Sequence, residues 1–407
     1  MNVGRYIFAQ ITDFIPRYVF DKAVKKYKGD FHVKDLTCYN QFLHLLFGQL
    51  TGCDSLRDIC LCLDAHKDIL YHLGFRNTVT VSSLSRANEN RDYRIYEELG
   101  RYLIDWVRPL YANVVIPDII ADNVIYALDS TTISTSIKLA SWALGKYSKG
   151  AVKMHTLLDL RGSIPVNIHI TDGKWHDDNM WELLPIECGA IYAADKAYID
   201  LKQMWRMQLA GAFFVMRPKD NMRFEVTREF VDDRLTSFVC ADYAVRFTGY
   251  QSKHSYPDEL RIVKVIDPDS GERVSFITNN FDFNPLEIAN IYRHRWDIEV
   301  FFKWIKQNIT IKSLWGYSEN AVKTHLWVAI CSYLLLAKIK ADTKSPYTIT
   351  EVATLIRVSA LERTDLREFL TNPKTQILPI KMSKNQCYLT IYKFNAKVIA
   401  TVLIDNK

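Results

Sequence analysis

The feature that most constrains the fold is a change in the hydrophobic pattern near residue 117. Before this point apolar residues recur at helical spacing, and after it short apolar runs alternate with turns and helical stretches. From residue 123 to 221 the predicted order is strand, hairpin, helix, strand, helix, strand. A hairpin pairs antiparallel strands, whereas strands separated by helices pair in parallel, so this order predicts an α/β region with a mixed sheet.

Two of the predicted strands, residues 123–129 and 189–195, end in an aspartate, Asp129 and Asp195. Ligands bind open α/β sheets at the carboxyl ends of the strands, so both aspartates are candidate site residues. An aspartate at a strand end is more often a turn former or a helix N-cap, and this position alone does not decide between the two roles. Asp177, which lies between the two strands, is interpreted as a turn or cap residue at the edge of the site.

The rest of the chain divides into regions that differ in their pattern of apolar and turn residues. Residues 222–283 alternate short strand-like pieces with acidic or Gly/Pro turns, which predicts a β-rich insertion. Asn284 and Pro285 then start a helix that should continue to about residue 308. Another helix should begin near Ser318. The predicted domains are a helical amino-terminal domain (1–115), an α/β catalytic domain (116–345) and a basic carboxyl-terminal tail region (346–407) with one helix and a weak strand pair around 377–403.

The net charge of +6 is unevenly distributed over the 407 residues. Residues 1–115 carry a net charge of +2, residues 116–299 of −5, and residues 300–407 of +9. This arrangement fits carboxylates that bind cations beside a surface that binds a polyanion, but an uneven solvated surface fits the same charges equally well.

The sequence shows no targeting signal, which favours the cytoplasm. No apolar run approaches the ~20 residues of a membrane span, and the amino terminus lacks the pattern of a signal peptide. The eight cysteines form no C-x-x-C pair and no Cys/His zinc spacing, which favours reduced thiols. We therefore expect a cytoplasmic protein without a membrane partner.

A polar stripe runs along the predicted helix after Pro285. Tyr292, Arg295, Glu299 and Lys306 fall within one arc of ~60° at ~100° per residue. A solvated face with a Glu–Arg pair would give the same stripe. Apolar residues on the remaining sides favour a packed helix, whose stripe then needs an anion, a metal or a nucleic acid beside it. These apolar residues are Val300, Phe301, Trp304 and Ile305.

Three carboxylates on three separate elements form the candidate catalytic set. Asp129, Asp195 and Glu299 can together hold two Mg²⁺ ions roughly 3.5–4 Å apart, and Mn²⁺ could replace Mg²⁺. Such a pair of ions stabilises the attacking and leaving oxygens of phosphodiester cleavage. Arg295 and Lys306 would bind the flanking phosphates.

These residues and their spacing resemble those of a known family, the DDE transposases of bacterial insertion sequences, and within it the IS-four type. The Y-R-E-K signature of that type is a Tyr, two residues, an Arg, three residues, a Glu, six residues and a Lys, and Tyr292 to Lys306 fit it without a gap. The segments LDSTT with Asp129 and YAADKAYID with Asp195 are similar to the two aspartate blocks. Similarity extends over about residues 10–340.

The resemblance implies an RNase-H-like core with a β-rich insertion before the glutamate helix. It also implies Mg²⁺-dependent cutting of double-stranded DNA at transposon ends, a hairpin intermediate, and joining to target DNA by a homodimer. Tyr292, Arg295 and Lys306 would contact phosphates, and the FFVMRPKDN segment adds Arg217 and Lys219 as DNA-binding candidates. Trp175 is the candidate for a Trp that stacks on a flipped base.

The amino-terminal domain resembles the helical domain that often precedes such cores. Its segment SSLSRANENR should begin a helix capped by Ser82 or Ser83. Arg86, Asn88 and Arg91 are then candidates for contacts to transposon-end DNA. An ordinary surface helix or a protein-interaction domain would give the same pattern.

The sequence leaves two other functions open. A domesticated relative would only bind DNA, although such a protein has no use for a set of buried carboxylates. A cellular nuclease or resolvase on the same fold would nick plain DNA without strand transfer.

Overall fold

A computed structural model describes residues 4–135, 142–143, 150–230, 238–267, 271–309, 311, 314–371, 378–380, 388–394 and 397–403.

Helices dominate both ends of the described chain, and strands dominate its middle. The helices are α1 (Ile7–Thr12), α2 (Arg17–Lys26), α3 (Cys38–Thr51), α4 (Leu56–Ala65), α5 (Leu70–Leu73), α6 (Val81–Asn90), α7 (Arg94–Val107), α8 (Met180–Leu183), α9 (Leu201–Leu209), α10 (Tyr250–Ser255), α11 (Pro285–Arg293), α12 (Asp297–Asn308), α13 (Glu319–Thr343), α14 (Ile349–Ser359) and α15 (Leu366–Thr371). The strands are β1 (Ile125–Thr135), β2 (Gly150–Asp159), β3 (Ile164–Asp172), β4 (Ile191–Ala194), β5 (Phe213–Met216), β6 (Phe224–Glu229), β7 (Val239–Phe247), β8 (Leu260–Ile266), β9 (Arg273–Thr278), β10 (Leu378–Ile380), β11 (Tyr388–Phe394) and β12 (Lys397–Leu403).

Nine strands form one mixed sheet in the order β3-β2-β1-β4-β5-β9-β8-β7-β6. β1, β4 and β5 are parallel, and β2 and β3 extend the sheet as the antiparallel hairpin expected around Arg161-Gly162. The α/β class with a mixed sheet is therefore confirmed. Helices separate the parallel strands because such a connection must return along the sheet before the next strand begins.

The β-rich segment joins the core sheet at its edge. β9 pairs antiparallel with β5, and β6 to β9 follow one another as neighbouring antiparallel strands. A buried ion pair between Arg261 and Asp242, 2.6 Å apart, links β8 to β7. The segment thus continues the sheet outward and returns the chain to α11.

The amino-terminal helices pack around α13. This helix contacts α3, α6 and α7. Gly100 allows the close approach of α7, because a Cβ there would lie only 2.7 Å from the ring of Trp327. By length and composition α13 could also span a membrane, but 94% of its most apolar window is buried inside the protein, as in a core helix.

Three predicted boundaries were wrong. β1 continues to Thr135, because the β-branched residues after Asp129 pair with β2. The single helix predicted from Pro285 to about residue 308 is broken by a 3₁₀ turn at His294–Trp296. This turn contains no Pro or Gly from which the break could have been predicted. The helix that carries Arg86 is capped by Thr80, whose hydroxyl accepts the N–H of Ser83, and not by Ser82 or Ser83. At the carboxyl end β10, β11 and β12 form a separate antiparallel sheet around the predicted strand pair.

Candidate active site

The strand register places Asp129 beside Asp195. The parallel pairing of β1 with β4 ends at Leu128 and Ala194; Asp129 is the next residue of β1, and Asp195 directly follows β4. Adjacent strands lie about 4.8 Å apart, so both carboxylates occupy the same edge of the parallel sheet. The alternation of side chains directs Asp129 to the face that packs against α12, which contacts β1.

The segment from α11 to α12 brings the third carboxylate to this place. The hydroxyl of Tyr292 donates to Oδ1 of Asp195 at 3.4 Å. The guanidinium of Arg295, in the 3₁₀ turn, donates to Oδ2 of Asp129 and to Oε1 of Glu299, each at 3.2 Å. Arg295 therefore links Asp129 to Glu299, and Tyr292 from the same segment contacts Asp195.

Burial changes the chemistry of these groups. Asp129 is mostly buried, and the loss of solvation, with further contributions from Glu299 and Asp195, raises its pKa to about 6 against the opposing effect of the Ser130 N–H and Arg295. Burial also raises the pKa of Tyr292 to about 12, so this side chain is a hydrogen-bond donor at neutral pH. Arg295 is 6% exposed, and its Nε has no partner among the described residues.

The residues fit a divalent cation by their chemistry. Carboxylate oxygens are the donors that Mg²⁺ and Mn²⁺ prefer, and a cation beside Asp129 would favour the charged form of a carboxyl group whose pKa is raised mainly by burial. Within the part of the chain that the structure describes, however, no group of three or more His, Cys, Asp or Glu side chains is arranged to hold an ion. Arg295 lies between Asp129 and Glu299 and supplies the positive charge in this arrangement.

The other candidate cations lie around the same edge. Lys306 donates from Nζ to the carbonyl of Thr132 at 3.3 Å, farther along β1 than Asp129. Arg217, directly after β5, is exposed. Lys219 donates to the carbonyl of Ile199 at 3.0 Å, in the segment that follows Asp195. The helix α12 is packed on fewer sides than the sequence indicated, because Val300 is 63% exposed, although Phe301, Trp304 and Ile305 are buried.

A polar network on the opposite face of β1 was missed by the sequence analysis. Asp177 was interpreted as a turn or cap residue, yet its carboxylate accepts from Ser130 Oγ at 2.9 Å and from Lys153 Nζ at 3.1 Å. The ring of Trp175 lies beside His155, with centroids 4.7 Å apart, and is half-buried. Only the pairing of β2 with β1 brings these residues together, so spacing along the chain carries no signal for them.

Two of the three amino-terminal DNA candidates are buried, which corrects the prediction that they face DNA. Asn88 is 1% exposed and accepts from Gln41 at 2.7 Å. Arg91 is 8% exposed and donates to Gln41 at 2.8 Å and to the carbonyl of Leu36. These polar side chains connect α6 to α3 inside the helical core, because each needs a partner once it is buried. Arg86 is exposed.

A different part of the amino-terminal region presents cations. Residues 17–34 carry a net charge of +4, so the remainder of residues 1–115 carries −2. Besides Lys26, four exposed lysines lie on α2 and on the loop that follows it: Lys22, Lys25, Lys28 and Lys34. The ion pairs of this segment involve Arg17 and Lys26 instead. Phe31, in the same loop, is 70% exposed.

Two family models match the chain. One, described as a transposase DDE domain, matches residues 120–335. The other, described as a domain of unknown function, DUF4372, matches residues 3–76. The first match contains every strand from β1 to β9 and all three candidate carboxylates.

Relatives with names are similar over the same region. A chain named as a transposase from Sinorhizobium fredii is 32% identical over 59% of this chain and 67% of the relative. One named as a transposase for insertion sequence element IS5377, from Geobacillus stearothermophilus, is 28% identical over 55% of this chain and 58% of the relative. One named for element IS4SA, from Synechocystis, is 26% identical over 64% of this chain and 71% of the relative.

Proposed function

Because this chain belongs to the DDE transposase family, whose catalytic domain has an RNase-H-like fold, we propose that it cuts DNA at the ends of an insertion sequence and joins them to target DNA. The observation that carries this proposal is the position of Asp129 and Asp195 directly after the last parallel pair of β1 and β4, with Glu299 linked to Asp129 through Arg295. Assignment to the IS-four type and its Y-R-E-K signature stays a prediction.

Members of this family generally use divalent metal ions. Asp129, Asp195 and Glu299 would hold a pair of Mg²⁺ ions, for which Mn²⁺ could substitute. When bound, the ions would supply Lewis-acid activation of water or a 3′-hydroxyl and would stabilise the charge on the phosphate oxygens. The protein's contribution is to hold the three carboxylates on rigid strands and on a packed helix, since small displacements of reacting groups cost large factors in rate.

The cations around the carboxylates would position the DNA. Arg295 can exchange its carboxylate partners for a phosphate, which its planar donors match in geometry. Lys306 and Arg217 lie on either side and would contact phosphates farther from the scissile bond. Tyr292, protonated at neutral pH, would donate to a phosphate oxygen. Lys219 would act mainly by fixing the segment after Asp195.

Base stacking by Trp175 remains part of this proposal. Its ring is half-buried against His155, next to Asp177. A flipped base could reach only the solvent-facing part of the ring in this arrangement. The hairpin route for end cleavage depends on such a base and is proposed with it.

We assign recognition of the insertion-sequence ends to the amino-terminal region. With Asn88 and Arg91 buried, the surface that best fits a phosphate backbone is formed by α2 and its following loop, with Lys22, Lys25 and Lys28. Lysines that contact the phosphates of DNA release counterions on binding. Two ends must meet in one complex, so a homodimer in the cytoplasm, associated with the nucleoid when bound, is the proposed active form.

The experiment that tests this function uses the full chain and DNA carrying the inverted repeats that flank its gene. Strand-specific nicking at the repeat boundary in Mg²⁺, followed by joining of the 3′ end to a second DNA, is the expected result. End binding without nicking would favour a DNA-binding relative. Nicking of any duplex without joining would favour a nuclease.

A further inference from the structure

Ser130 connects the face of β1 that carries Asp129 to the opposite face. Its backbone N–H donates to Oδ1 of Asp129 at 2.8 Å, and its hydroxyl donates to Oδ1 of Asp177 at 2.9 Å. Successive side chains of a strand alternate between faces, so the Ser130 hydroxyl points away from the Asp129 carboxylate. One residue thus holds a candidate metal ligand with its backbone and a second carboxylate with its side chain.

The carboxylate of Asp177 has several polar partners on its own side of the sheet. Lys153 Nζ lies 3.2 and 3.1 Å from its two carboxylate oxygens, and Nδ1 of His155 lies 3.4 Å from Oδ1. Burial lowers the pKa of His155 to about 4, so the imidazole is neutral and Lys153 is the balancing charge. A carboxylate with these partners is already neutralised and is not available as a further metal ligand.

The same network reaches the turn that follows Asp195. Tyr198 lies three residues after Asp195 and is 2% exposed. Burial, together with the nearby carboxylates of Asp129 and Asp177, raises the pKa of its hydroxyl. The 3₁₀ turn that begins at Asp177 contacts the turn Lys196–Tyr198, which directly follows Asp195.

From these contacts we propose that Asp177 is a positioning residue for Asp129, an inference that rests on the proposed function. Asp177 fixes the Ser130 hydroxyl, and the fixed serine directs its N–H to Oδ1 of Asp129. The Asp129 carboxylate then keeps Oδ2 toward Arg295, whose guanidinium also contacts Glu299. Asp177 acts through Ser130 and touches neither metal nor DNA. Groups that orient metal ligands in this way typically change metal affinity by about 10–100-fold when they are removed.

Replacing Asp177 by asparagine or by alanine distinguishes a positioning role of this residue from direct ligation of the metal. Asp177→Ala removes the acceptor of the Ser130 hydroxyl, whereas Asp177→Asn keeps an oxygen at that place without the charge. We expect Mn²⁺ affinity, measured by calorimetry on the full chain without DNA, to fall about tenfold in Asp177→Ala and to stay within about threefold of wild type in Asp177→Asn. Ser130→Ala should match Asp177→Ala, and the double variant should lose little more because the two groups act in series.

Asp172→Ala is the matched control. Oδ1 of Asp172 accepts the N–H groups of Lys174 and Trp175 in the same loop, so this change loosens the loop without touching Ser130. It should lower the melting temperature and leave Mn²⁺ affinity unchanged. Because a general loss of order would also weaken metal binding, equal losses in Asp172→Ala and Asp177→Ala would overturn the proposal.

The remaining outcomes are also decisive. If Asp177→Asn loses as much affinity as Asp177→Ala, the charge is required, Asp177 is itself a ligand, and the positioning role is wrong. Unchanged Mn²⁺ affinity in Asp177→Ala, or a wild-type chain that binds no Mn²⁺, also contradicts it. A wild-type chain that binds Mn²⁺ with the expected pattern of variants but never cleaves end DNA would support the positioning role and contradict the proposed function.

Discussion

Arg295 donates to Asp129 at 3.2 Å across 166 residues of sequence, and this contact ties the middle of the core sheet to the break between α11 and α12. The same guanidinium reaches Glu299. The side chain of Arg295 is 8% exposed, so it holds two carboxylates together in a region of weak solvent screening. One cation therefore links two of the candidate carboxylates, while buried apolar side chains also hold the glutamate helix in place.

Replacing Arg295 by alanine should destabilise the protein. The change leaves Asp129 and Glu299 close together without a positive charge, so we expect a loss of about 3 kcal/mol in the free energy of unfolding, measured by urea denaturation. This is the lower end of the range for a broken buried pair, because the side chain of Glu299 is 39% exposed. Arg293→Ala, which removes an exposed pair with Asp118, should cost less than about 1 kcal/mol. Similar losses in both variants would show that Arg295 has no special structural role.

The raised pKa of Asp129 should appear as a pH dependence of stability. Its folded-state pKa of about 6 exceeds the ordinary value of 3.8, so between these values the folded protein binds the proton more tightly than the unfolded chain. The stability of the wild type should therefore fall as pH rises from about 4 to about 6, and this fall should be absent from Asp129→Asn. Denaturation in EDTA across this range measures the difference between the two proteins. A constant difference from pH 4 to 7 would contradict the assignment.

DNA binding by α2 should be visible in its salt dependence. Lys22→Gln with Lys25→Gln removes two exposed cations, so the slope of log K against log salt for end DNA should decrease by about 2. Lys202→Gln with Lys253→Gln is the control, since both lysines are exposed on other helices. Equal slopes for the α2 variant and the wild type would move end recognition to another surface.

Much of the site followed from local sequence, and the rest depended on tertiary pairing. Asp195 was predicted because an apolar run before an acid is a local signal, and β4 ends where that run ends. Asn88 and Arg91 were misassigned because their partner, Gln41, lies 47 and 50 residues away. The contact between Ser130 and Asp177 likewise exists only through strand register. Periodicity identifies a polar helix face but not what that face contacts.

We propose that Glu299 completes a metal-dependent site with Asp129 and Asp195. The direct test is Mg²⁺-dependent nicking of insertion-sequence-end DNA by Glu299→Gln, with binding to the same DNA measured in parallel. Glu287→Gln is the control, because Glu287 lies on the preceding helix and accepts the N–H groups of Ile120 and Ala121, which a glutamine oxygen can also do. We expect Glu299→Gln to bind DNA as the wild type does and to nick it several orders of magnitude more slowly, whereas Glu287→Gln nicks normally. Nicking by Glu299→Gln at a rate near that of the wild type would contradict the account.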